Sequence, residues 1–122
     1  MNNGKLTLLL LSLVALTAAA QETEEPDLIE IWGDTLRFGI DSELEAVLEQ
    51  IEEAGESSLD TLIVSRFVRS RSTQLRITIA EHFRERESRA LMPEADSLLL
   101  SEEQLPNDLT RTLLQYRSEI GD

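Results

Sequence analysis

The chain has 122 residues, with 24 Asp or Glu against 11 Lys or Arg, a formal net charge of −13 and no Cys. A chain this short holds one small domain. Without cysteine it has no disulfide framework, no thiolate zinc site and no thiol nucleophile. Its single histidine, His82, excludes a two-histidine metal motif. A pI near 4.4 argues against a nucleic-acid partner, because phosphate-backbone binding needs a basic surface. No metal and no cofactor is expected.

Residues 1–20 read as a Sec-type signal peptide. Lys5 is the charged n-region, Leu6 to Leu16 is an apolar run broken only by Thr7 and Ser12, and Ala18-Ala19-Ala20 offers a cleavage site before Gln21. The run is shorter than the roughly 18 residues of a membrane span, so no stable span is expected after cleavage. The expected location is periplasmic or secreted. Residues 21–33 follow as an acidic, disordered lead: Gln21 to Asp27 contains Pro26 and no apolar residue, and Leu28 to Trp32 is too short to type.

From residue 34 the chain reads as helices. Asp34 to Gly39 makes one helical turn, with Asp34 as cap. Next, Ser42 with Glu45 fits a capping box before the stripe Leu44, Val47, Leu48 and Ile51, and Gly55 ends that helix. Ser57-Ser58 start another, whose apolar residues Leu59, Leu62, Ile63, Val64, Phe67 and Val68 cover more than half its circumference and predict burial on two sides. Ser72 and Thr73 cap the next, with Leu75, Ile79 and Phe83 on one face. A helix over Leu91 to Leu100 follows, with Pro93 in its first turn. Asn107 caps the last, with the stripe Leu109, Leu113, Tyr116 and Ile120. Short connections imply antiparallel neighbours, and the fold class is all-α.

Leu75 to Ser88 and Leu109 to Asp122 align at an offset of 34, matching Leu75 with Leu109, Thr78 with Thr112, Ile79 with Leu113, Ala80 with Leu114 and Glu85 with Glu119. Phe83 meets Arg117, with Tyr116 one position earlier. The stretch Ser72 to Phe83 (STQLRITIAEHF), Arg89 to Ala95 (RALMPEA) and the closing Ser118-Glu119-Ile120-Gly121-Asp122 resemble the first helix, the paired-helix start and the L-x-x-I-G-D end of bacterial HEAT-like repeats. The 34-residue spacing is shorter than that of long HEAT repeats. The resemblance covers residues 34–122. It implies a short right-handed α-solenoid of antiparallel helix pairs, incomplete at its C-terminal end because a first-type helix closes the sequence without its partner.

A non-catalytic, protein-binding scaffold in the bacterial periplasm or envelope is what this resemblance implies. A HEAT-like lyase-type enzyme, or enzyme subunit, and a fragment without independent function are the alternatives. The Glu face of Glu45, Glu49, Glu52 and Glu53 reads as solvated, and His82 as a packing or interface residue. Residues 61–90 form the one basic region of an acidic chain, and Arg66, Arg69 and Arg76 are its expected partner-binding residues. The stripe Leu109, Leu113, Tyr116 and Ile120 is the second expected contact, and self-association is expected if nothing covers it. The protein partner's identity is not legible.

Overall fold

The computed structural model describes residues 27–101 and 104–121. The expected signal peptide, and the acidic lead up to residue 26, lie outside the described residues. Helix α1 spans Leu28–Phe38. Asp27 caps it, its carboxylate accepting from the Ile29 amide at 3.0 Å, and the Gly39 amide closes it on the Thr35 carbonyl. This corrects the expectation that the lead extends to residue 33 and that Asp34 starts an isolated turn. Trp32, Gly33 and Leu36 form the buried face of α1, and the Trp32 indole donates to Gln50 Oε1 at 2.8 Å.

Helix α2 is Asp41–Ala54, α3 Asp60–Arg69, α4 Thr73–Glu85, α5 Met92–Leu100 and α6 Asn107–Ile120. There are thus six described helices, one more than the periodicity suggested, and no strand among the described residues. The all-α class stands. The expected capping box at Ser42 is replaced by Glu43, whose carboxylate accepts from the Ile40 amide at 3.0 Å. Helix α3 begins at Asp60 rather than at the serine pair. Ser72 caps α4 as expected, its hydroxyl accepting from the Leu75 amide at 3.2 Å.

Two helix ends close in the same way. Gly55 takes φ +65° after α2, while its amide and that of Glu56 return to the carbonyls of Glu52 and Ile51. After α4 the same pair of bonds runs from Glu87 to Arg84 and from Ser88 to Phe83, but the left-handed position, φ +54°, is held by Glu87.

Each helix packs on helices one or two along the chain. α1 touches α2 and α3, α4 touches α2, α3 and α6, and α5 touches α6. Burying α3 between α1 and α4 explains its wide apolar girth. Eighteen apolar residues contributed by all six helices and the turns make one continuous core. Leu109, Leu113 and Tyr116 lie fully within it, against α4 and α5, with Ile120 packed at its edge. The closing helix is therefore covered by its own chain, which corrects the expectation of a bare stripe there and removes the basis for self-association through it.

Candidate functional site

Most of the arginines in the basic region serve the fold. Arg66 reaches back from α3 to the end of α1, where Nη1 donates to the Leu36 carbonyl at 3.1 Å and Nη2 to the Gly39 carbonyl at 2.7 Å. Arg76 does the same at the end of α3, donating to the carbonyls of Phe67 and Val68 and lying 5.4 Å from the centre of the Phe67 ring. Arg89 donates to the Ile120 carbonyl at 3.2 Å, at the end of α6. A guanidinium suits these places, because its fork satisfies carbonyls that have lost their helical partners and its charge complements the negative end of the helix. Arg84 pairs with Glu119, and Arg117 with Asp96.

Arg66 and Arg76 thus hold helix ends of their own chain, a role that their spacing in the sequence does not announce. Arg69 remains exposed, with no side-chain partner among the described residues. Arg71 shares that condition, and the structure brings both to an open cleft of about 560 Å³ between the α1–α2 turn and the α3–α4 turn. Arg37, Phe38 and Arg66 line it too, with Ser72 at the start of α4. Among the described residues Arg37 has only an exposed pair with Asp34 at 3.7 Å. Phe38 is 81 % exposed and Ile40, beside it in the turn, 66 %. Asp41 lines the cleft as well, 3.7 Å from Arg66. Sequence reading missed Arg37 and Phe38, since two turns about thirty residues apart in sequence converge here and nothing in their spacing announces it.

Leu109, Leu113 and Tyr116 are buried and out of a partner's reach. Tyr116 does a specific job: its hydroxyl donates to the Ser88 carbonyl at 2.7 Å and accepts from the Leu91 amide at 3.2 Å, fixing the α4–α5 turn to α6. Burial raises its phenol above the usual range. The exposed large apolar residue of α6 is instead Leu114, on the opposite face.

An acidic cleft runs between α2 and α4, lined by Glu45, Glu49, Glu52, Glu81 and Glu85, with His82 also in its lining. Glu52 shares a hydrogen bond with Glu85, and that bond, with partial burial and the like charge, raises the Glu52 carboxyl above its usual range. No group of three or more ligating side chains is arranged to hold a metal ion among the described residues. His82 is 4 % exposed. Its Nε2 lies 3.1 Å from Arg86 Nη1, which also donates to Asp60 Oδ1 at 3.0 Å. A guanidinium only donates, so Nε2 is the acceptor and the proton sits on Nδ1, which makes no hydrogen bond. Burial, with the Arg86 charge adding to it, pushes the imidazole down to about 4.

Among the described residues no helix is long and apolar enough to cross a membrane. No family model, curated protein or solved structure matches the chain.

Proposed function

We propose that the chain is a non-catalytic protein-binding module, a short right-handed α-solenoid of HEAT-like helix pairs that acts in the bacterial periplasm or cell envelope. The packing supports the repeat reading: α1 with α2, α3 with α4 and α5 with α6 make three sequential pairs, and α2, α4 and α6 stack on one another in turn. Such stacking is how repeat proteins bury their faces without a closed centre. The offset of 34 now carries a common burial pattern, since Leu75, Ile79 and His82 answer to Leu109, Leu113 and Tyr116, and all six are buried.

The observation that carries the binding role is the cleft at the turn end. An acidic chain keeps Arg69 and Arg71 without side-chain partners among the described residues there, beside an aromatic ring left in water. Both arrangements suit a partner. The non-catalytic part of the reading is supported by His82, whose accepting nitrogen is taken by Arg86 and which is closed to solvent.

Photo-crosslinking residues placed at Phe38, Leu100 and Leu114 of the full chain, in cells, test this reading. Capture of the same protein from repeated preparations supports it, and no protein adduct from any position overturns it. The location is tested by fractionation with N-terminal sequencing: a mature chain starting at Gln21 in the periplasm is expected, and an intact chain in the cytoplasm would refute it.

A further inference from the structure

We infer that the cleft between the α1–α2 and α3–α4 turns docks an acidic peptide segment that also carries an aromatic or aliphatic side chain. This rests on the reading above as a protein-binding module and names the chemistry of what it binds.

The charge comes first. Arg69 and Arg71 have no side-chain partner among the described residues, and Arg37 is held only by an exposed pair at 3.7 Å, an arrangement of little strength in water. Arg66 donates to the carbonyls of Leu36 and Gly39, and its charge remains beside the cleft it lines. Asp41 is the single carboxylate among the lining residues. Helix α4 also begins here, at Ser72, and turns its positive end toward the same space. Each free guanidinium offers a planar pair of donors matched to a carboxylate.

The apolar wall then narrows the ligand. Phe38 lines the cleft and is exposed beside these cations, and a small inorganic anion would leave its ring in water. A peptide with a carboxylate next to an aromatic or branched side chain covers both. The rest of the molecule excludes the larger polyanions. The chain is strongly acidic, at −13, and an anionic bilayer or a nucleic acid presents an extended negative surface that meets this whole charge. A short peptide inside the cleft senses mainly what lies within about 8 Å at physiological salt.

The test is fluorescence anisotropy on the full chain with a short, labelled, Glu-rich peptide containing Phe. Saturable binding that weakens as salt is raised is expected. The Arg69→Glu, Arg71→Glu double variant should bind at least about tenfold more weakly, since it reverses two charges at the contact. Phe38→Ser should weaken binding separately. Neither change touches a buried residue, and an unaltered far-ultraviolet circular dichroism spectrum will verify that both variants fold. Equal affinity in the double variant overturns the inference. So does competition by inorganic phosphate with no effect of Phe38→Ser, which would make this a simple anion site. Binding to phosphatidylserine vesicles without binding to the peptide overturns it in favour of a membrane contact. A protein captured through Leu100 or Leu114, with no peptide bound at the cleft, sinks this inference and leaves the module reading intact.

Discussion

His82 already accepts a hydrogen from Arg86, so a second proton on its ring would set two cations together in a site closed to water. The unfolded chain takes up that proton near pH 6.5, whereas the folded chain resists until about 4. Between those values the unfolded state binds more protons, and stability must fall as the solution is acidified. The loss is about 3 kcal/mol when complete. Glu52 works in the opposite sense: its raised carboxyl takes a proton before its unfolded counterpart does, relieving the repulsion with Glu85 as pH falls. Urea unfolding from pH 7 to 4 should therefore show declining stability in the native sequence. In His82→Leu the decline should be largely gone; a profile that still falls as steeply would move the cause elsewhere. The sequence did reveal His82 as a packing residue, because it lies along the apolar edge of its helix. It could not reveal the roles of the arginines. Arg66 donating to two carbonyls and Arg69 reaching into a cleft differ by three positions on one helix, and only the place where α1 ends separates them.

Helix ends set the energetics at the next scale. Where α1 stops, two carbonyls are satisfied by one guanidinium from another helix, a bond pattern that a lysine cannot reproduce with a single ammonium. Arg66→Lys is expected to cost about 1–3 kcal/mol, and Arg66→Ala no less, measured by denaturant midpoint. Arg69→Lys, by contrast, should leave the midpoint within about 0.5 kcal/mol of the native value. The two left-handed ends make a second comparison. Gly55 holds φ +65° without a Cβ, whereas Glu87 holds φ +54° with one. Glu87→Gly should raise stability by up to about 1 kcal/mol and Gly55→Ala should lower it by a similar amount. Gly33 is a third case. It sits inside α1, where an added methyl would meet Leu62 Cδ1 at 3.5 Å, an ordinary contact. Gly33→Ala should accordingly stabilise by about 0.5–1 kcal/mol, seen as a higher melting temperature. This glycine also hides the extent of α1 in the sequence. Gly33-Asp34 looks like a stop followed by a cap, yet tertiary packing against α3 carries the helix straight through, and the working cap is Asp27.

For the whole molecule, the periodic stripes located the core, since every residue assigned to the inner face of α2 and α6 is buried or packed at its edge. Which helix covers which was beyond them. The stripe on α6 carries the same side chains whether or not a later helix covers it, and its cover comes from α4 and α5 on the side already built. Ala80 and Leu114, matched by the offset of 34, prove to be buried and exposed respectively, so the two segments share three inner positions rather than a full register. The candidate site was the least legible part. Arg37 and Phe38 on α1, and Arg69 and Arg71 near the end of α3, become neighbours only once α1 and α3 have packed together.

The phenol that ties the last helix to the α4–α5 turn has one more effect, in base. The unfolded Tyr116 phenol ionises near 10, and the buried one, raised by its surroundings, holds its proton longer. Stability from this group is complete below that value and drains away as alkalinity rises past it. Tyr116→Phe should be less stable at neutrality, where the Leu91 amide loses its acceptor, yet flatter from pH 9 to 11 in a thermal-melt series, since the one tyrosine of the chain would no longer set its alkaline limit.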